Sequence, residues 1–303
     1  MTQLDLLSQL ITTRSHMLDD LNQLINWPKL SNILSKTRKS LGRTGYPPIL
    51  LFKCLLLQKL YNASDVELED SLHDRLSFRR FTGIGLDEKV PDATTLCRFR
   101  ATLCAKNLIN KLFNRVMQDI ESQGYLVKSG TLLDASIIKS RPQDDEGTWT
   151  KKNNTYTKGY KIHVGVDAKS ELVRSVCVTP ANVHDSQKAL DLITDDVAMV
   201  YADKGYDSQK IRNHLQLRGI SDGIMRRTYH AKFKSRTALR NKALSGVRSG
   251  VERAFATLKN HYGCSRSQYV GLIKNTQNFI LKIIAMNLKR TLKLQVRRLN
   301  LAG

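Results

Sequence analysis

The chain has 303 residues and carries 49 Lys and Arg against 27 Asp and Glu, a formal net charge of +22. Its apolar residues, 41% of the whole, recur periodically, which argues against disorder; no stretch is apolar enough to span a bilayer, and MTQLDLLSQLITTR lacks the basic start of a signal peptide. A cytosolic protein without a membrane partner is expected, and the cationic surplus calls for a polyanion, nucleic acid first, a merely basic ribosome-associated protein being the plainer alternative.

Residues 1–125 read as helical. LSQLITTRSHMLDDLNQLINW has apolar residues at helical spacing, and PPILLFKCLLLQKLY begins with two prolines suited to a helix N-terminus. Ser64-Asp65-Val66-Glu67 fits a capping box, and Pro91-Asp92 stops the chain before another helical stretch. Such a module suits DNA binding or dimerisation, although core packing alone also explains its apolar residues. Cys54, Cys97, Cys104, Cys177 and Cys264 are odd in number and hold no C-x-x-C pair, so buried free thiols are expected, not zinc ligands or disulfides.

After Gly124 the pattern turns to strands. LVKSGTLLDASII is β-rich and is expected to end near Asp134. YKIHVGVDAK and ELVRSVCVTP alternate like strands around a turn at Asp167. A helix, the short strand VAMVYAD, a helix ended by Gly219 and the strand SDGIMRR follow, giving a meander joined by helical crossovers to a mixed α/β sheet. Segment 141–157 reads as an irregular surface loop with a solvated acidic run, Asp144, Asp145 and Glu146. Its Trp149 suits either stacking on a base or packing. Residues 226–247 read either as a disordered basic linker or as a DNA-facing arm that starts at Arg226 and Arg227. In NFILKIIAMNLKRTLKLQ the stripe Phe279, Ile280, Ile283, Ile284 and Leu288 faces the core, with Lys282, Lys289, Arg290 and Lys293 outside.

Asp134 and Asp203 each follow an apolar strand, the rim position where α/β proteins place their sites; a turn or helix-capping role is about as common for one such Asp alone. Glu252 differs. Residues 223–303 hold eighteen Lys and Arg and this single carboxylate. Val247, Val251, Ala254, Phe255 and Leu258 form the core stripe of its helix, and Arg248, Glu252 and Lys259 share the adjacent stripe. A salt bridge accounts for the glutamate but not for the missing acids around it. A DNA surface disfavours carboxylates, so a retained one suggests a metal ligand, and Mg²⁺ takes carboxylate oxygen. His163 and Asp167, on one strand face, read as structural ahead of a metal pair, and His184 and Asp185 as helix caps.

Several blocks resemble the DDE transposases of bacterial insertion sequences, most closely insertion-sequence family five. YPPILLFKCLLLQKLYNASDVELEDSLHDRLSFRRFTGIGLDEKVPDATTLCRFR is similar to that family's helical N-terminal domain, LLDASIIKSRP and VYADKGYDS to the blocks of its two catalytic aspartates, and GVERAFATLKNHYGCSRSQYVGL to that of its glutamate. The signature Tyr-x2-Arg-x3-Glu-x6-Lys is met by Arg248, Glu252 and Lys259, with Ser245 in place of the Tyr. The resemblance implies a ribonuclease-H-like mixed-sheet catalytic core, residues 126–303, preceded by an all-helical N-terminal domain, residues 1–125. It implies Asp134, Asp203 and Glu252 as catalytic metal ligands for two Mg²⁺ ions, with Mn²⁺ as a substitute, the first pair holding one ion and Asp134 with Glu252 the other. Water cleaves the element's end, and the freed 3′-hydroxyl attacks target DNA. Arg248, Lys259, Arg226, Arg227 and Arg253 are the DNA-binding candidates. The implied partners are double-stranded DNA, as terminal inverted repeats and target, and a second copy in a DNA-bound homodimer, in a cytoplasmic, nucleoid-associated setting. A nuclease on the same core without strand transfer, and a non-catalytic transposase-derived DNA binder, are the alternatives.

Overall fold

The structure, a computed structural model, describes residues 17–38, 45–152, 154–227 and 233–302. The segment read against a signal peptide lies outside them, as does the start of the first expected helix. Contacts divide the chain into two units, one up to Ile120 together with Gln295–Gly303, the other Glu121–Leu294.

The first unit is helical. Of the first expected helical stretch, read as far as Trp27, the described part is α1 (Met17–Leu24); a further helix the sequence did not suggest, α2 (Trp27–Leu34), follows where Asn26 restarts the chain by accepting a hydrogen bond from Lys29 N. Helix α3 (Pro48–Tyr61) runs through the middle of the unit, with Phe52 and Cys54–Leu57 without solvent exposure. Its Lys53 is spent inside the fold: Nζ donates to Asn22 Oδ1 and the Phe81 carbonyl and lies 4.3 Å from the Trp27 ring. Burial lowers its pKa to about 8. Helix α4 (Asp65–Asp74) starts at the capping box read from Ser64 and Glu67. Helices α5 (Leu76–Thr82), α6 (Ala93–Ala105), capped by Asp92, and α7 (Ile109–Ser122) complete the unit. Cys97 on α6 is exposed, against the expectation of buried thiols, while Cys54 and Cys264 are buried.

The second unit is built on a mixed sheet of order β2-β3-β1-β5-β6, with β4 also on β3. Its strands are β1 (Thr131–Lys139), β2 (Thr148–Lys152), β3 (Thr155–Asp167), β4 (Val173–Pro180), β5 (Met199–Ala202) and β6 (Ser221–Ile224). β3 pairs antiparallel with β1, β2 and β4, while β5 is parallel to β1 and to β6. Helices α8 (Ala189–Leu192) and α9 (Gln209–Leu217) cover one face, where Leu133, Val200, Ala202, Ile211 and Leu215 form a buried cluster. Helix α11 (Ser249–His261) lies on the other, close enough that a Cβ on Gly250 would stand 3.0 Å from the Leu132 side chain. Covering both faces is what makes the start of β1 apolar throughout.

Several expectations are corrected. β1 does not end near Asp134 but runs on to Lys139. The loop 141–157 contains β2 and the start of β3, paired from Thr148↔Gly159 to Lys152↔Thr155; its Thr, Trp and Tyr favour strands, but the polar residues around them hide the pattern. The acidic run is solvated at Asp145 and Glu146 but not at Asp144. Asp144 is fully buried and accepts from the Tyr160 hydroxyl at 2.7 Å and from Gly271 N, and Glu146 accepts from Leu272 N at 2.8 Å. Both carboxylates hold the start of helix α12 (Leu272–Ala302), where unpaired N–H groups and the helix dipole favour negative charge. On α12 the stripe from Phe279 to Leu288 is buried as read, but Lys282 is buried too and donates to the Gly263 carbonyl. The supposed linker holds helix α10 (Lys234–Val247), with residues 228–232 outside the described set. Val247 ends α10 and is 39% exposed, so it is not part of the α11 core stripe, whereas Val251, Ala254, Phe255 and Leu258 are buried.

His163 and Asp167 are structural. Asp167 is fully buried and accepts from Lys128 N, Lys169 N, Ser170 N and the Ser170 hydroxyl, which fixes the β3–β4 turn. The His163 ring, also fully buried, meets Thr179 Oγ1 at 2.9 Å through Nε2. Burial lowers its pKa from 6.5 to about 4, so the folded protein holds it neutral. The unfolded chain takes up a proton as pH falls below 6.5 and the folded chain does not, so the contribution is complete above pH 6.5 and is lost on going down to about pH 4. Relative to a His163→Gln variant, wild type should lose roughly 3 kcal/mol across that window, read as the difference between their denaturant midpoints against pH.

Candidate active site

The site forms where β1 and β5 part. Their parallel ladder pairs Thr131 with Val200 and Leu132 with Tyr201. Two steps further along that register come Asp134 and Asp203, side by side at the open end of the pairing. Asp134 sits within β1 opposite Val164, half-buried, on the face covered by α11. Asp203 follows the last residue of β5 and caps the 3₁₀ turn Lys204–Tyr206, its Oδ1 accepting from Gly205 N at 2.8 Å. The β1–β5 ladder ends at Leu132 and Tyr201, and β5 passes after Ala202 into the turn, so β5 no longer pairs with β1 at Asp134.

Tyr206, at the end of that turn, is fully buried, and its hydroxyl has no hydrogen-bond partner among the described residues. Burial pushes its pKa up, and the charges of Asp185, Asp134 and Asp203 push it further, against the pull of Arg248. It is therefore a neutral phenol at the point where three carboxylates and one guanidinium converge. Asp185 opens the 3₁₀ turn Asp185–Gln187, which His184 caps, and binds Lys161 Nζ at 2.8 Å. Sequence reasoning gave Asp185 a cap's role and passed over Tyr206. The one trace of Tyr206 in the sequence is its place three residues after Asp203.

Arg248 brings positive charge to the pair. It lies between α10 and α11, its side chain 15% exposed, with one guanidinium nitrogen 3.7 Å from Asp134 Oδ2 and another against the Met225 sulfur. At that separation it neutralises Asp134 without a tight bidentate bond. Glu252 lies one turn further along, in the first turn of α11, and is exposed. Asp134, Asp203 and Arg248 are thus brought together; Glu252 shares the helix and the stripe of Arg248. Among the described residues no three His, Cys, Asp or Glu side chains are gathered in a form ready to hold an ion. In kind the donors fit a hard divalent cation, since all are carboxylates and two of them are neighbours.

The other basic candidates are placed differently. Lys259 is half-buried on α11. Arg226 lies between Asp207 and Asp222, and Arg227 donates its backbone N–H to Asp207 and its side chain to the Lys204 carbonyl. Arg253, 58% exposed, pairs with Glu171, which also pairs with Arg290 at 2.8 Å. These residues border a cavity of about 100 Å³, also lined by Lys289 and Lys293. Ser245, in the place of the expected Tyr, is exposed on α10 and donates to the Lys242 carbonyl.

A mixed sheet with an antiparallel β3-β1 pair and a parallel β5, covered by helices on both faces, is a ribonuclease-H-like core. Residues 125–288 match the transposase DDE domain family and residues 5–102 the transposase domain DUF772. The chain belongs to the transposase DDE domain family, acts in DNA transposition, and works with divalent metal. Its fold is similar to that of the piggyBac transposase in a synaptic complex with hairpin DNA, at 12% identity and a TM-score of 0.51, over 92% of this chain and 73% of that one. A Mos1 transposase in a pre-cleavage transpososome aligns over 84% of this chain and 80% of that one, at 11% identity and a TM-score of 0.23. No described helix is long and apolar enough to cross a membrane.

Gly205 tests how closely Asp203 is held. A Cβ there would stand 2.9 Å from Asp203 Oδ1, the oxygen that caps the turn. Gly205→Ala should lower transposition by about tenfold, with little change in melting temperature, as measured by transposition assays beside thermal unfolding.

Proposed function

We propose that the chain is the transposase of an insertion sequence of family five, which cuts DNA at the element's ends and joins the freed 3′-hydroxyls to target DNA. Asp134, Asp203 and Glu252 are its metal ligands. The observation that carries this reading is the juxtaposition of Asp134 and Asp203 at the open edge of β1, with Arg248 charge on Asp134 and Glu252 one turn beyond it. When bound, two Mg²⁺ ions, or Mn²⁺ in their place, supply the Lewis acid that activates the attacking oxygen and offsets the charge of the phosphodiester.

The protein residues do the rest. Asp134 lies between the other two ligands in this reading, within reach of Asp203 across the sheet edge and of the α11 stripe above it. Glu252 is exposed, so its side chain is able to turn toward Asp134 without disturbing packing. Tyr206 stays protonated and fills the space behind the carboxylates, which keeps water out of the core side of the site. Arg248 is shared: a phosphate oxygen is a stronger partner for a guanidinium than a carboxylate at this distance. Arrival of DNA would draw Arg248 from Asp134 and leave that carboxylate to an ion. Lys259, on the same stripe, would meet the next phosphate. Residues 1–125 serve DNA binding and pairing of two copies on two ends, and residues 126–303 serve the chemistry.

Asp134→Asn, Asp203→Asn and Glu252→Gln should each abolish cleavage of terminal DNA while leaving its binding intact. Nicking by any of the three purified variants in Mg²⁺ would remove that residue from the ligand set. A joining assay with pre-cut ends separates a transposase from a nuclease on the same core. Arg248→Gln should lose cleavage yet bind Mn²⁺ without DNA several-fold more tightly, because a repelling charge near Asp134 is gone; calorimetric titration reads this directly.

A further inference from the structure

We propose that the β2–β3 hairpin is a DNA-strand contact in which Trp149 and Tyr156 stack on unpaired bases and Lys151 and Lys158 meet the phosphates. It rests on the transposase reading in one respect, that the polyanion is DNA.

The pairing sets these four residues on one face. Trp149 lies opposite Lys158, and Lys151 opposite Tyr156. Directly paired residues of an antiparallel ribbon share a face, as do alternate residues along each strand. One surface therefore carries two rings and two ammonium groups in alternation. Trp149 is 63% exposed and Tyr156 65%. The Lys151 ammonium stands 5.3 Å from the centre of the Tyr156 ring, which leaves its charge beside the aromatic rather than in an ion pair. Of the acids of the preceding loop, Asp144 is buried and accepts from Gly271 N, Glu146 is exposed but accepts from Leu272 N at the start of α12, and Asp145 is exposed. Packing does not explain two large aromatics on the solvent side of an edge ribbon. Rings that offer their faces between lysines are what an unstacked strand of nucleic acid takes, since every base has a π-face and every step a phosphate.

The hairpin is also aimed at the reaction. β3 continues from it without a break, and Val164, opposite Asp134, has the same parity as Lys158 and Tyr156. The ringed face is thus the face of the sheet that carries Asp134. Six residues separate Val164 from Lys158, about 20 Å along the strand, a few nucleotides of extended DNA. Intact duplex keeps its bases stacked and gives the rings nothing to take. The ligand is DNA with unpaired bases near the cut.

The test uses the full chain without divalent metal, so that binding is read apart from cleavage. A blunt duplex and the same duplex with a short single-stranded extension are titrated by fluorescence anisotropy, with indole emission followed in parallel. The tailed duplex should quench Trp149 emission, the quench should vanish in Trp149→Ala, and Trp149→Tyr should retain affinity for the tailed duplex as read by anisotropy. Trp149→Ala should weaken the tailed duplex by about tenfold and the blunt one by less than about twofold. Lys151→Gln and Lys158→Gln should each lower the salt slope of binding by about one. Equal affinity of wild type and Trp149→Ala for the tailed duplex overturns the proposal, as does a loss equal for both duplexes. Unchanged melting temperature shows that the variants are folded. Continued nicking by Asp134→Asn would remove Asp134 from the metal-ligand set and leave this binding result standing.

Discussion

Two residue pairs between β1 and β5 decide the architecture of the site. Thr131 pairs with Val200 and Leu132 with Tyr201, and these pairs fix which residue of one strand faces which of the other. A slip of one residue would turn Asp134 or Asp203 to the opposite face of the sheet. The buried residues around the pairs hold the register: Leu132 under Gly250 of α11 on one side, and Leu133, Val200 and Ala202 in the α8–α9 cluster on the other. Site geometry is therefore a consequence of core packing on both faces of one strand.

Charge is distributed with the same economy. A surplus of +22 would repel itself if spread evenly, yet several of the cations nearest the site are already engaged. Arg248 stands over Asp134, Arg226 joins Asp207 to Asp222, and Glu171 ties Arg253 to Arg290. These pairs set guanidinium groups in place before any DNA arrives. Asp203 and Asp134 sit within this frame as acids in a basic neighbourhood, a combination that suits a cation and a phosphate at once.

How much of this the sequence made legible depends on the kind of signal. Asp203 was readable, because a short apolar strand running into Asp-Lys-Gly leaves an acid at a sheet rim. Glu252 was readable by contrast with the acids missing around it. Asp134 was readable as a residue but not in its place, since Ser136 and the residues after it gave no hint that β1 continued to Lys139. Tyr206 was hidden, because its importance lies in what surrounds it in space. The loop acid Asp144 misled for the same reason: a polar side chain looks solvated until the helix start beside which it is buried, more than a hundred residues later, is brought against it. The β2 strand was masked by polar neighbours, and Val247 by a helix boundary at Arg248 that helical periodicity does not mark.

Gly159 gives β3 a division of labour. It is the residue at which the strand passes from β1 to β2, pairing with Lys139 and with Thr148, and a side chain there would collide with the Ile138 carbonyl. On the C-terminal side the strand is buried and holds the register of the core; on the N-terminal side it is a projecting arm. Because the crossing point bears no side chain, the β3 backbone there lies against the Ile138 carbonyl of β1. The two halves of one strand thus carry different constraints, burial fixing the inner half while the outer half faces solvent.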